Sequence, residues 1–331
     1  MKKKLLVTGA SGFVGSHLVE RAFKLGFEVH AAVRRSSKVQ DIASYVHQFV
    51  YPNFGDVDDL KNLFDKEKYA YVIHAAALTK AKSEDEMRCV NAEYTADLAQ
   101  AAFQAQSPPL RFVFVSSLAA IGPVAYDAPL INESEPYHPV TVYGRSKRVA
   151  EEMLRSKFAD KSITIVRPTA VYGPREKDLF ILFDTMNKGL DAYIGRSPQK
   201  LSFIYVEDLV DVLLEACVQP QEGLMIFNVT DGSVYSRYEM ADLFKKIVRK
   251  KLLRIHVPYA VVEKMAVFSQ WLYKGSAKSP VIYPERLKEL TAQNWGCDIS
   301  LAKRILGFEP KYNLEEGLRE SLLWYKENNW L

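Results

Sequence analysis

The sequence predicts a doubly wound α/β fold, with a parallel sheet covered by helices on both faces and a smaller, mostly helical C-terminal lobe. Two observations predict it. Short apolar runs alternate with amphipathic stretches through the first two-thirds of the chain, and a glycine-rich turn follows the first run directly. Strands separated by helices read as βαβ units, whose strands lie parallel and whose crossovers are right-handed.

The candidate strands are residues 4–8, 28–33, 48–51, 71–74, 111–115 and 162–166, and helical patterns lie between them at 12–25, 58–64 and 86–105. After Pro168 the rhythm loosens and Pro, Gly and Tyr become frequent. A strand at 201–206, a helix at 207–217 and a strand at 225–229 follow. We assign residues 1–168, completed by about 201–229, to a dinucleotide-binding domain, and 169–200 and 230–331 to a substrate-binding lobe.

Bulk properties narrow the function. The 331 residues are 48% apolar and 25% charged, with a net charge of +4, too little for a typical nucleic-acid-binding protein. Cys89, Cys217 and Cys297 are far apart and form no CxxC pair, which predicts neither a metal site nor a disulfide framework and suits a reducing, cytoplasmic compartment. Lys2-Lys3-Lys4 before Leu5-Leu6-Val7 resembles the start of a secretory signal, but the apolar run stops at Thr8-Gly9. The longest apolar stretch, 257–273, is interrupted by Glu263, Lys264 and Gln270, so stable membrane insertion is not expected.

The glycine turn carries the first chemistry. Gly9, Gly12 and Gly15 stand three residues apart between a strand pattern and a helix pattern. Glycine permits the tight turn and the close approach of a pyrophosphate, which then meets free N–H groups at the helix N-terminus. This is a Rossmann-type cradle, with Ser11, Phe13 and Val14 between the glycines. At the end of the second strand an acidic residue would hold an adenosine ribose; Arg34 and Arg35 stand there instead. Guanidinium groups suit a 2′-phosphate, so NADP(H) is the expected cofactor, with NAD(H) as the alternative.

A reactive pair follows. Tyr143 and Lys147 are four residues apart and share one helix face. An ammonium beside a phenol favours phenolate and makes the tyrosine a general acid or base. Ser117 ends the strand at 111–115, the sheet edge where ligands bind in open α/β folds.

These motifs, in this order, resemble the extended short-chain dehydrogenase/reductases of the epimerase/dehydratase branch. The resemblance continues through Gly55-Asp56-Val57, His74-Ala75-Ala76-Ala77, Asn91, Val166-Arg167-Pro168, Tyr172-Gly173-Pro174-Arg175 and Tyr205-Val206-Glu207-Asp208. It implies that Asp56 and Val57 meet the adenine. It also implies that Ala75, Ala76 and Ala77 line the ribose and phosphate region, and that Asn91 and Pro168 belong to the cofactor site. Ser117 would orient the substrate oxygen, with Ser116 as the neighbouring choice. Tyr143 would be the acid/base, and Lys147 would also bond the nicotinamide ribose. A homodimer is implied as well.

Within that family the chain most resembles the 3β-hydroxysteroid dehydrogenase and dihydroflavonol reductase-like members. Nucleotide-sugar enzymes commonly carry Asn where this chain has Ala170 and Arg where it has Leu201, with Lys200 adjacent. Tyr259, Met265, Phe268, Trp271 and Tyr273 suggest an apolar wall for the substrate. The expectation is an NADP(H)-dependent oxidoreductase acting on an apolar ketone or alcohol; a nucleotide-sugar epimerase or dehydratase and a non-catalytic dinucleotide-binding regulator are the alternatives.

Overall fold

The structure is a computed structural model that describes residues 2–272 and 283–331, apart from the side chain of Trp271. The first half runs β1 (Lys4–Thr8), α1 (Phe13–Lys24), β2 (Glu28–Ala32), β3 (Gln48–Val50), α2 (Val57–Glu67), β4 (Tyr71–His74), α3 (Glu84–Arg88), α4 (Tyr94–Gln104), β5 (Arg111–Val115), α5 (Val142–Phe158) and β6 (Ile163–Pro168). Next come β7 (Ala170–Tyr172), α6 (Phe180–Asn187), β8 (Leu190–Ile194), β9 (Lys200–Leu201), β10 (Phe203–Tyr205), α7 (Val206–Val218) and β11 (Leu224–Val229). The mostly helical remainder is β12 (Tyr235–Ser236), α8 (Glu239–Val248), β13 (Leu253–Val257), α9 (Tyr259–Leu272), α10 (Pro284–Thr291), α11 (Ser300–Leu306) and α12 (Leu314–Glu327).

Seven strands form one parallel sheet in the order β11-β6-β5-β4-β1-β2-β3. The order reverses between β1 and β4, the switch point where open α/β sheets bind ligands. Alternation along each strand supplies both faces. Leu5, Val7, Ile73 and Val113 pack against α1 and α7 through Leu18, Val19, Leu209 and Leu213. Leu6, Val72, Phe112 and Phe114 pack on the other side against Leu60, Phe64, Leu98 and Leu154. A separate cluster around Phe183, Phe244, Leu318 and Tyr325 organises the C-terminal helices.

Two departures from the sequence expectation have physical causes. The stretch 86–105 is not one helix: a π-helical turn at Cys89–Glu93 separates α3 from α4. Asn91 in that turn bonds the backbone of Leu78, which accounts for the interruption. The run 201–206 divides into β9 and β10 because Leu201 pairs antiparallel with Tyr235, whereas Phe203 pairs parallel with Ala170. Gly307 closes α11 at φ +66°, and Asn313 with Glu316 forms a reciprocal cap on α12.

Candidate active site

The cradle depends on close backbone approach. Gly9 sits at φ +67°, and a Cβ there would lie 2.7 Å from the backbone of Ala75 and Ala76. At Gly15 a Cβ would come within 2.1 Å of the Gly9 carbonyl oxygen, so α1 can meet the turn only as glycine. At Gly12 the nearest atom is that same oxygen, at 3.1 Å, and the rest of the surroundings are open. The first-turn amides of Phe13, Val14 and Gly15 have no acceptor within α1, and no acidic residue stands in that turn. Such an N-terminus favours an anion. The turn therefore fits a dinucleotide pyrophosphate, with Ser11 exposed at its lip.

Thr8 ties this turn to the next loop. Its hydroxyl lies 2.7 Å from His74 Nδ1 and accepts from the Ala76 amide at 3.2 Å. His74 Nε2 lies 2.9 Å from the Thr95 hydroxyl, and burial lowers its pKa to about 3, which keeps the ring neutral. The half-buried Ala75, Ala76 and Ala77 are thus held beside Gly9. Asn91 fixes the same loop from the other side. Its side chain accepts from the Leu78 amide at 2.7 Å and donates to the Leu78 carbonyl and to Ser146 Oγ at 2.8 and 2.9 Å. The structure thus gives Asn91 partners within the protein, joining the alanine loop to α5.

Beyond β2, Arg34 and Arg35 are exposed, and no carboxylate pairs with either among the described residues. Arg35 lies over the Tyr51 ring, 5.1 Å from its centroid. Asp56 caps α2, with one oxygen accepting from the amides of Asp58 and Asp59 at 3.1 and 3.0 Å and Val57 opening the helix.

The residues that the sequence marks as a reactive set lie at the carboxyl end of β5. Ser117 caps the turn after β5, its oxygen accepting from the Ala119 amide at 3.1 Å. Burial pushes the Tyr143 phenol up to about 12, and the neighbouring Ser117 hydroxyl opposes that rise. Lys147 is 1% exposed; its Nζ donates to the Val115 carbonyl at 2.7 Å and lies 4.6 Å from the Phe114 ring centroid. Burial lowers its pKa to about 7. The sequence suggested that Lys147 lowers the phenol pKa. In the chain alone the reverse force dominates, because desolvation acts on both groups and Ser117 is the residue that opposes it at Tyr143.

The two serines separate cleanly. Ser116 is buried and donates to Glu151 Oε1 at 2.5 Å, away from Tyr143; Ser117 is half-buried beside the phenol. Glu151 also accepts from Tyr137 at 2.7 Å and from Arg167, which immediately precedes the buried Pro168. Sequence inspection singled out neither Glu151 nor Tyr137. The only available signal was Glu151 one helical turn after Lys147, a spacing equally common on solvated helices.

Ala170 opens β7, where it pairs with Phe203 of β10, and Leu201 ends β9 two residues before that strand. Lys200, the adjacent base, lies over the Tyr126 ring at 4.7 Å. Among its described side chains, helix α9 does not turn the large ones inward. Val262 and Ala266 are buried, whereas Met265 and Phe268 are 57% and 61% exposed. Tyr273 and the Trp271 side chain lie outside the described residues. No group of metal ligands occurs among the described residues, and no helix of theirs is long and apolar enough to cross a membrane.

Residues 5–230 match the model of the NAD dependent epimerase/dehydratase family. The chain belongs to this family. Its members' chemistry is divided, and so are the relatives. The chain is 28% identical to the UDP-glucose 4-epimerase of Vibrio cholerae, over 99% of this chain and 97% of that one. It is equally, 28%, identical to the ceramide reductase of Caulobacter vibrioides, over 98% and 95%. Against the 3-beta-hydroxysteroid dehydrogenase of Mycolicibacterium neoaurum the identity is 26%, over 98% and 92%. The crystal structure of Thermotoga maritima UDP-glucose 4-epimerase with UDP-glucose superposes with a TM-score of 0.78 at 22% identity, covering 98% of this chain and 99% of that one. This family member is thus an extended short-chain dehydrogenase/reductase-type enzyme with a dinucleotide-binding Rossmann fold.

Proposed function

We propose that this enzyme is an NADP(H)-dependent oxidoreductase that interconverts a ketone and a secondary alcohol on a mainly apolar substrate. The observation that carries the reading is the arginine pair. Arg34 and Arg35 follow β2 in the next loop, exposed and without carboxylate partners among the described residues, beyond the strand that pairs with β1 of the cradle. A ribose 2′-phosphate would satisfy both, whereas a ribose hydroxyl would leave two unmatched cations beside it.

Gly9, Gly12, Gly15 and the first amides of α1 would hold the pyrophosphate. Asp56 and Val57 would meet the adenine, Ala75 to Ala77 the central riboses and phosphates, and Lys147 and Pro168 the nicotinamide end. When bound, the nicotinamide supplies or accepts the hydride. Ser117 holds the substrate oxygen, and Tyr143 gives it a proton in reduction or takes one in oxidation. Lys147 is already desolvated, so a ribose hydroxyl replaces little water around it. Holding carbonyl and phenol in line supplies much of the acceleration.

Relatives that reduce ceramide and dehydrogenate 3β-hydroxysteroids support an apolar substrate. Ala170 and Leu201 support it further, because neither offers a polar group to a sugar diphosphate. The equal identity to a UDP-glucose 4-epimerase keeps one second reading: nucleotide-sugar epimerisation with NAD retained. Nucleotide extraction from purified protein, followed by assays with NADPH and a ketone panel, separates the two. Reversible NADPH binding with ketone reduction is expected. Tightly held NAD and turnover of UDP-glucose would establish the second reading.

A further inference from the structure

The turn that presents Tyr143 is held from two directions. Thr141 caps α5 locally, its hydroxyl accepting from the Gly144 amide at 3.0 Å. Ser146 Oγ donates to the Tyr143 carbonyl at 2.7 Å and accepts from Asn91. A Cβ on Gly144 would lie 2.3 Å from the Ala119 carbonyl oxygen, so α5 starts in close contact with the turn that Ser117 caps. All of these holds lie in the first half of the chain. Another comes from the C-terminal helices, 143 positions away. Glu285, in the first turn of α10, accepts from the Val142 amide through Oε2 at 3.0 Å and from Arg145 Nη2 through Oε1 at 3.1 Å. Val142 opens α5 and directly precedes Tyr143. Its amide is one of the donors that a helix leaves unpaired at its start, and α5 has no acidic residue of its own in that turn. Arg145 is gripped in addition by Glu84 of α3, Nε to Oε1 at 2.8 Å. Helix α10 is itself fixed at its far end. Gln199 donates to the carbonyls of Leu290 and Ala292 at 2.9 and 2.8 Å, the Lys200 amide donates to the Gln293 carbonyl at 2.8 Å, and Leu287 is buried.

Thr141 satisfies Gly144 and leaves the Val142 amide to Glu285. The phenol oxygen ends a long, stiff side chain, so a small rotation of this first turn moves it further than it moves the backbone. Proton transfer depends on that alignment. We propose that Glu285 is a positioning residue: its carboxylate holds the Val142 amide and thereby sets the Tyr143 phenol beside Ser117, so that the acid is in place only when the C-terminal helices are docked. This inference rests on Tyr143 being the general acid of the reading above.

The test compares Glu285→Ala, Glu285→Gln and Asn313→Ala with the wild type, all as full chains. Reduction of a ketone panel that includes 2-dodecanone is followed with NADPH, and kcat and KM are taken on the ketone reduced fastest. Hydrogen–deuterium exchange of the peptide containing Val142 is measured in parallel. Glu285→Ala should lower kcat about tenfold, the return expected from one hydrogen bond to a charged acceptor. Both KM values should stay unchanged, because an interaction that only places the acid takes no part in ground-state binding. The Val142 peptide should exchange faster in this variant. Glu285→Gln keeps an acceptor for the amide and should restore most of kcat. Asn313→Ala removes a cap of the same kind on α12; it should lower the melting temperature as Glu285→Ala does while kcat stays at the wild-type value. An unchanged kcat in Glu285→Ala, even with faster exchange, overturns the inference, as does a rise in KM alone or an equal loss of kcat in the Ala and Gln variants. If the wild type reduces no ketone and turns over UDP-glucose, the same loss and rescue on that substrate would uphold the inference and defeat the reductase reading. Ketone reduction whose kcat is untouched by Glu285→Ala would do the opposite.

Discussion

Arg167 clasps Glu151 in the dry interior, with Nη2 2.5 Å from Oε2 and Nε 3.0 Å from Oε1, both side chains shut away from water. The pair joins β6, one residue before Pro168, to α5, one turn after Lys147. Through Ser116 it also reaches the end of β5. One carboxylate therefore fastens the three elements that present Ser117, Tyr143 with Lys147, and Pro168. A buried pair of this kind is expensive to break from one side, because the remaining charge keeps its desolvation penalty.

Glu151→Leu should accordingly lower the unfolding free energy by about 3–5 kcal/mol, leaving Arg167 buried and uncompensated. The double variant Glu151→Leu with Arg167→Met should recover most of that loss, since apolar groups of similar volume often replace buried ion pairs at little cost. Urea denaturation midpoints of the three proteins check this. Equal losses in the single and double variants would remove the charge argument.

Tyr143→Phe keeps the ring and deletes the proton. Turnover with NADPH should fall by about two to four orders of magnitude, the usual contribution of a positioned acid. NADPH affinity, followed by fluorescence, should stay close to wild type because the cradle lies elsewhere. Retained turnover would show that another group supplies the proton.

Lys147 sets a pH dependence whose sign can be worked out. The folded chain releases this proton near pH 7, well below the ordinary lysine value of 10.5. Between those values the unfolded chain binds more protons, so this group makes stability rise with pH across the interval. Below about pH 7 its full penalty applies, because the ammonium must then be buried. Lys147→Met should therefore raise the melting temperature of the cofactor-free protein at pH 6, with a gain that shrinks steadily by pH 9. A gain independent of pH would reflect packing rather than ionisation.

Arg34→Ala should raise the Michaelis constant for NADPH by about tenfold or more, as expected for a lost charge-assisted bond, and leave that for NADH nearly unchanged. Steady-state kinetics with both cofactors decides the matter. Equal effects on the two would show that the arginine does not read the 2′-phosphate.

Much of the frame was legible in the residues because its causes are local. The limits of β1, β4 and β5 follow from runs such as Leu5-Leu6-Val7 and Phe112-Val113-Phe114 set between polar turns. The glycine cradle was legible for the same reason, since conformational freedom at Gly9 belongs to that residue alone. The break at Asn91 was not. It arises from bonds to Leu78 and Ser146, the latter 55 positions away, and a helical pattern carries no trace of such partners. Nor did the aromatic content of α9 reveal its orientation: the small Val262 and Ala266 face inward and the large Met265 faces out.

By itself, then, the sequence determined a parallel α/β sheet, a dinucleotide turn and a Ser-Tyr-Lys set, because strand alternation, helix periodicity and glycine placement act over a few residues. Tertiary structure decided which serine lies toward the phenol and which carboxylate lies buried against Arg167. These are contacts between segments distant in the chain. Only the closing of the sheet and the packing of α5 against it bring them within bonding range, and only in that dry setting do the charges of Lys147 and Glu151 acquire their consequences.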